Sequence, residues 1–152
     1  MTQFEDQVFL LAEDSEDDVF LMQRAFLAGG IPNPLHVVAD GDEIVAYLKG
    51  EREYADRAKH PLPTVVLLDL NLPRKNGFEV LAWIRQQPVL KRIVVIILTA
   101  SNRSSDADRA YDLGANFYLT KPSKFEDLVK MAKCLQEWLQ LNHFPSVAPG
   151  EK

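Results

Sequence analysis

The chain lacks the features that mark secreted, membrane or nucleic-acid-binding proteins. Cys134 is its only cysteine, which excludes an internal disulfide and a cysteine-rich zinc site. Its longest apolar run, Ile93 to Leu98, is far shorter than the roughly 20 residues that span a bilayer, and residues 1–7 are too acidic for a signal peptide. The net charge of −5 argues against nucleic acid, which selects for excess lysine and arginine. We therefore expect a cytosolic protein that binds neither membrane nor nucleic acid.

A glycine-rich phosphate loop is also missing, because the first strand-to-helix turn reads Glu13-Asp14-Ser15. Strand-like and helix-like patterns nevertheless alternate five times along the 152 residues. The strand runs, such as Val65 to Leu68, are continuously apolar, as in strands covered on both faces. Right-handed crossovers then predict an α/β fold with a doubly wound sheet of five parallel strands, in the order 2-1-3-4-5, flanked by five helices.

Capping and turn residues place these helices. Ser15 is predicted to cap the first helix, which ends at Gly29-Gly30. The other four are predicted at about 42–48, 78–86, 105–113 and 124–141. Segment 49–63, which reads KGEREYADRAKHPLP, is long and is predicted to be a solvated helical loop.

Four strand-like runs each end in residues that can bind phosphate or a metal ion. The runs and the residues that follow them are Val8 to Ala12 with Glu13 and Asp14, Thr64 to Leu68 with Asp69, Ile93 to Leu98 with Thr99, and Asn116 to Thr120 with Lys121. Ligands of open parallel sheets bind beyond the carboxyl ends of the strands. The four exits therefore predict one site.

Three carboxylates at one crevice repel each other unless a cation lies among them or their pKa values rise. Oxygen ligands favour Mg²⁺ or a similar ion, held by Glu13, Asp14 and Asp69. The alternative for Glu13 and Asp14 alone is an acidic helix N-terminus. Asp69 is the candidate nucleophile, since a carboxylate can form an aspartyl-phosphate, and Thr99 and Lys121 can bind the phosphoryl oxygens. Taken singly, the threonine could be a local cap and the lysine a solvated side chain.

The segments LLAEDSEDD, LLDLNLPRKNG, ILTAS and FYLTKP resemble the signature of response-regulator receiver domains, the phosphoacceptors of two-component signalling. The resemblance runs from Val8 to about Leu139 and implies a flavodoxin-like receiver fold with Asp69 as the phosphorylation site. It also implies Asp14 as a direct Mg²⁺ ligand, Glu13 as an outer ligand through water, and Asn71 as a ligand through its backbone carbonyl. The Lys121-Pro122 bond would be cis.

The same resemblance assigns a switch to Thr99 and Tyr118, whose rotamer would follow the threonine hydroxyl; the alternative is an ordinary strand tyrosine. The long 49–63 segment and the long fifth helix with Trp138 are similar to regulators paired with cyanobacterial-type phytochrome histidine kinases. Met131 and Trp138 lie on one side of that helix, which predicts an apolar interface and a homodimer through helix 4, strand 5 and helix 5.

The predicted organisation is a receiver domain over residues 1–141 and a short tail over 142–152, with no output domain. The predicted function is phosphoryl transfer from a histidine kinase onto Asp69, followed by altered contacts with a downstream protein that the sequence does not name; this is a signalling protein and not an enzyme. One alternative is a phosphorylation-independent interaction module, which usually lacks an acid, the threonine or the lysine. Another is a hydrolase, whose Mg²⁺-dependent phosphatase version needs an aspartate where this chain has Asn71.

Overall fold

The computed structural model describes residues 7–145, in which strands and helices alternate. The strands are β1 (Phe9–Ala12), β2 (Leu35–Val38), β3 (Val65–Leu68), β4 (Val94–Thr99) and β5 (Phe117–Thr120). The helices are α1 (Glu16–Ala28), α2 (Gly41–Lys49), α3 (Gly77–Gln86), α4 (Ser104–Asp112) and α5 (Phe125–Leu141). None of the helices described is long and apolar enough to cross a membrane.

All five strands are parallel and lie in the order β2-β1-β3-β4-β5, which confirms the predicted fold. Every residue of β1, β3 and β4 is buried, because helices cover both faces of the sheet. The registers set Ala12 beside Leu68 and Thr99 beside Thr120. Residues that follow these positions therefore leave the sheet side by side.

The two faces of the sheet carry separate hydrophobic cores. Leu10, Val66 and Ile97 pack beneath α2 and α3, with Ile44 and Leu81 among their partners. Leu11, Leu67 and Ile96 point to the other face and pack with residues of α1 and α5 such as Met22, Phe26 and Leu135. Burial on both sides holds the central strands in place, which fixes the edge where the candidate site lies.

Helix ends follow the predicted caps within a residue or so. The Ser15 side chain accepts a hydrogen bond from the Asp18 N–H at 3.3 Å, and the Asp40 side chain accepts one from the Glu43 N–H at 2.7 Å. At α3, Asn76 and Glu79 form a reciprocal capping box that was not part of the sequence prediction.

The segment between α2 and β3 is more ordered than the predicted solvated loop. It contains a short 3-10 helix, Arg52–Ala55, but Tyr54 within it is only 7% exposed and packs on Tyr47. The Arg57 guanidinium donates to the carbonyl oxygens of Tyr47 and Leu48, at 2.8 and 3.0 Å. The short helix and the mostly exposed residues of the segment agree with the predicted solvated helical loop, but Tyr54 does not, because its aromatic ring gains more by covering α2 than by facing water.

Candidate functional site

Glu13, Asp14, Asp69 and Lys121 come together at the carboxyl edge of the sheet, as the strand exits predict. The Asp69 N–H donates to the Ala12 carbonyl at 3.2 Å, and the Lys121 N–H donates to the Thr99 carbonyl at 2.7 Å. These backbone bonds continue the ladder by one residue beyond the strands. They help to bring the side chains of three separate chain segments together.

Three of these residues form an acidic cluster. Glu13, Asp14 and Asp69 each offer a carboxylate oxygen, and these oxygens lie within 4.8 Å of one another. Glu13 and Asp69 are buried, whereas Asp14 is exposed. Hard oxygen donors at this spacing, with one member open to solvent, fit Mg²⁺ or a similar divalent ion. Asn71 lies close by, since its N–H donates to Asp69 Oδ1 at 3.2 Å.

Lys121 provides the positive charge at the centre of the cluster. Its Nζ donates to Asp69 Oδ2 at 3.1 Å, to Asp18 Oδ2 at 3.0 Å and, in a short contact, to Glu13 Oε1. The lysine reaches these carboxylates across a trans Lys121-Pro122 bond, because residues 7–145 contain no cis peptide bond. The predicted cis bond was wrong: the trans isomer already presents the ammonium to Asp69, and trans is the less costly form.

Burial and neighbouring charges shift two pKa values. Burial raises the pKa of Glu13, and the charge on Asp69 raises it further, while hydrogen bonds from Lys121 and from the Ser15 N–H oppose the shift. Burial alone would lower the pKa of Lys121, but its carboxylate partners Glu13, Asp69 and Asp18 outweigh burial and raise it. Lys121 therefore stays an ammonium at neutral pH.

Thr99 ends β4 and is completely buried. Its hydroxyl oxygen has no hydrogen-bond partner among the residues described. A buried hydroxyl without a partner is uncommon, because it costs free energy to desolvate. This orphaned hydroxyl therefore fits a site in which an anion arrives during function.

Close backbone packing holds the loop after Asp69. The Gly77 N–H donates to the Leu70 carbonyl at 3.0 Å, and a Cβ on Gly77 would lie 2.4 Å from the Asp69 carbonyl oxygen. The Gly41 N–H donates to the Pro73 carbonyl at 3.2 Å. Only glycine at position 77 permits this approach, so the start of α3 fixes the backbone of Asp69.

Tyr118 is hydrogen-bonded to the loop between β4 and α4. The Tyr118 hydroxyl donates to the Ser101 carbonyl at 3.0 Å, and its N–H donates to the Tyr111 hydroxyl at 3.2 Å. The Ser101 hydroxyl donates to Asp106 Oδ2 at 2.6 Å. Tyr118 thus connects strand β5 to the loop that follows Thr99.

The two residues predicted for an interface lie on α5, away from the acidic cluster. Met131 is partly buried against the α1 and α5 core. Trp138 is 36% exposed, and its ring meets Phe117 edge-on with centroids 4.7 Å apart. The Trp138 ring, part of the predicted interface, therefore partly covers β5.

Sequence reasoning missed Asp18, the third carboxylate on Lys121. Asp18 stands in the first turn of α1, beside the other acidic residues Glu16 and Asp17. An acidic first turn was a visible signal, but it does not distinguish Asp18 from Glu16 and Asp17 without knowledge of where Lys121 lies.

The sequence pattern of the response regulator receiver domain family matches residues 9–133 of the chain. The chain belongs to this family. The receiver is 41% identical, over 141 residues, to response regulator Rcp1 of Synechocystis sp. (strain PCC 6803), covering 92% of this chain and 94% of that protein.

Solved structures show the same similarity. The phosphorylated cyanobacterial phytochrome response regulator RcpA superposes on the receiver with a TM-score of 0.84 at 40% identity, and the Mn²⁺-bound form of Rcp1 does so with 0.81 at 41% identity. Each comparison covers 92% of this chain and 99% of the other. The flavodoxin-like receiver fold is thereby established, and this is a two-component signalling protein.

Proposed function

We propose that the receiver accepts a phosphoryl group on Asp69 from a sensor histidine kinase and signals through altered protein contacts. The observation that supports this most directly is the buried Asp69 carboxylate, held by Lys121 at 3.1 Å within a cluster of two further acids. A phosphorylation-independent module would have no need to keep these charges together, because crowded carboxylates are costly without a task.

The chemistry requires one displacement at phosphorus. A carboxylate oxygen of Asp69 forms a bond to phosphorus while the phosphorus–nitrogen bond of the donor phosphohistidine breaks. The electron pair of that bond leaves on the imidazole nitrogen, which takes up a proton. Lys121 is placed to bind a phosphoryl oxygen, and the Thr99 hydroxyl is available to donate to another.

Glu13, Asp14 and Asp69 are the residues that would hold Mg²⁺, with the Asn71 carbonyl as a further ligand. A divalent cation there supplies neutralisation of the charge on the transferring group. Support comes from the oxygen-only donor set and from the Mn²⁺-bound structure of the related Rcp1. Glu13 is placed to act as an outer ligand through water, because its carboxylate is buried and lies in the same cluster as Asp69.

The proposed kinase partner is of the phytochrome type. This rests on the similarity to RcpA, a cyanobacterial phytochrome response regulator, over nearly its full length.

We place the receiver in the cytoplasm, because the exposed free thiol of Cys134 suits a reducing compartment. The receiver acts as a phosphorylated switch and not as an enzyme with a separate substrate.

Phosphorylation is proposed to act through Thr99 and Tyr118. A new anion on Asp69 attracts the Thr99 hydroxyl, which has no partner among the residues described. Movement of β4 then disturbs the loop at Ser101, to which the Tyr118 hydroxyl is bonded. The α4–β5–α5 face changes shape, and a homodimer through Met131 and Trp138 is the proposed reader of that change.

The test is labelling by acetyl phosphate in the presence of Mg²⁺ and then by candidate phytochrome kinases. Asp69→Asn should abolish labelling and retain the fold, because the amide is nearly isosteric, while the exposed control Asp112→Asn should be labelled like the parent. Timed transfer from each kinase identifies the cognate partner. A parent that no donor labels would favour the phosphorylation-independent module.

A further inference from the structure

The ammonium of Lys121 has three carboxylate partners, and they are not equivalent. Its three N–H donors are taken up by Glu13, Asp69 and Asp18. The side chains of Glu13 and Asp69 are 3% and 7% exposed and belong to the acidic cluster. Asp18 is 44% exposed and lies outside that cluster.

A divalent cation and Lys121 therefore compete for the same two carboxylates. A cation on Glu13 and Asp69 would repel the nearby ammonium in this buried site and would compete with it for their oxygens. The ammonium would then depend more on a counter-charge that the cation does not use. Asp18 already contacts the ammonium at 3.0 Å, so it can keep that charge paired without Glu13 or Asp69.

The surroundings of Asp18 suit this task. Its backbone N–H donates to Ser15 Oγ at 3.3 Å, which fixes the first turn of α1. A cavity of about 40 Å³ lies beside the ammonium and is lined by Asp18, Leu21 and Pro122 among others. Lys121 also lines this cavity, so space is open beside its ion pair with Asp18.

We propose that Asp18 is a positioning residue that takes Lys121 away from Glu13 and Asp69 when a divalent cation binds, and so raises the cation affinity of the site. This inference rests on the proposed function, because it requires that the acidic cluster hold a cation. It adds a residue that acts through Lys121 and is not itself a metal ligand.

The test measures the dissociation constant for Mn²⁺ from the electron paramagnetic resonance signal of the free ion. Asp18→Asn should raise this constant about fivefold, the effect of losing one partly buried ion pair. Asp17→Asn removes the same charge from the same helical turn, but Asp17 is exposed and does not contact Lys121. This control should change the constant by less than about twofold, since exposed charges are screened. Asp18→Glu keeps a carboxylate at this position and should bind Mn²⁺ with most of the parent's affinity.

A double-mutant cycle decides whether Asp18 acts through the lysine. In a Lys121→Met background no ammonium has to move, so Asp18→Asn should then have no larger effect than Asp17→Asn. Circular dichroism of every variant establishes that it is folded. Equal effects of Asp18→Asn and Asp17→Asn, or an undiminished Asp18→Asn effect without Lys121, would overturn the inference. A parent that does not bind Mn²⁺ would instead refute the proposed metal site.

Discussion

At the residue scale, Thr99 carries a buried hydroxyl that has no hydrogen-bond partner within residues 7–145. Thr99→Val keeps the shape and removes the desolvation cost, so the free energy of unfolding should rise by about 1 kcal/mol. Phosphorylation by acetyl phosphate should slow about tenfold, because one donor to the phosphoryl group is lost. Urea unfolding and timed labelling measure the two effects.

Thr99→Ser is the matched control, since it keeps the hydroxyl and should retain labelling close to that of the parent. If the hydroxyl serves function and not stability, Thr99→Val should raise the free energy of unfolding and lower the rate of labelling. A valine variant that is both less stable and normally labelled would show that Thr99 serves the fold.

The residues that follow apolar strands could be identified from sequence because the parallel α/β architecture fixes where strand ends lie. Asp69 and Lys121 are of this kind, and the structure brings them into contact. Asp18 could not be identified in the same way, because its role depends on the direction of the Lys121 side chain. The isomer of the Lys121-Pro122 bond was also beyond sequence reasoning, since the two isomers differ little in free energy.

At the element scale, Arg85 ties α3 to the start of β4 and to the turn before β5. Its guanidinium donates to the carbonyl oxygens of Lys91, Ile93 and Gly114 and to the Asn116 side chain, at 2.7 to 2.9 Å. Burial lowers the pKa of Arg85, and every one of these acceptors is uncharged. The side chain therefore acts as a geometric connector between three elements.

Arg85→Lys should lower the free energy of unfolding by about 2 kcal/mol, because an ammonium cannot reach this set of acceptors and leaves carbonyl groups unpaired. Denaturant unfolding measures the loss. The exposed neighbour Arg92→Lys is the control and should be neutral. Equal stability of the two variants would show that the Arg85 hydrogen bonds add nothing to stability that a lysine ammonium does not also supply.

His36 on the edge strand β2 makes stability depend on pH. Burial lowers its pKa below the ordinary 6.5, and the nearby His60 adds to this. The unfolded chain therefore binds a proton more readily at this position. The stability contribution is complete above pH 6.5 and is lost as the pH falls through the lower folded-state pKa.

Between about pH 7.5 and pH 5.5, His36→Asn should lose less stability than the parent, whereas the exposed control His143→Asn should follow the parent. Thermal melts at several pH values measure the difference. Identical pH dependence in the parent and His36→Asn would place the pH sensitivity elsewhere.

Element boundaries were predictable where a cap or a glycine marks them, as at Ser15 and Gly29. The segment after α2 was less predictable. Tyr54 in that segment is buried because its ring lies 4.9 Å from that of Tyr47 and its hydroxyl donates to Glu43 at 2.9 Å. Such contacts are set by tertiary packing and leave no local periodicity to detect.

At the scale of the whole molecule, the α4–β5–α5 face exposes several large apolar side chains. Tyr111 in α4 is 49% exposed, and Phe125 and Trp138 in α5 are 41% and 36% exposed. Burying such side chains against a second copy is favourable, and tryptophan is common at the centre of interfaces.

Trp138→Ala should therefore weaken self-association of the receiver by about tenfold or more, as measured by light scattering over a range of concentrations. Leu27→Ala is the control, because Leu27 is 74% exposed at the far end of α1. A parent that remains monomeric at high concentration, with and without a phosphoryl mimic, would remove the dimer and leave this face to another partner.

The ion pair between Glu13 and Lys121 joins residues 108 positions apart, since one follows the first strand and the other follows the last. Contacts of this range form late in folding, because a long loop must close first. In a chain truncated before β5, Glu13, Asp14 and Asp69 would lack the lysine that balances their charge. The proposed phosphoacceptor site therefore depends on both ends of the domain, and a fragment that stops before residue 121 is expected to lack it.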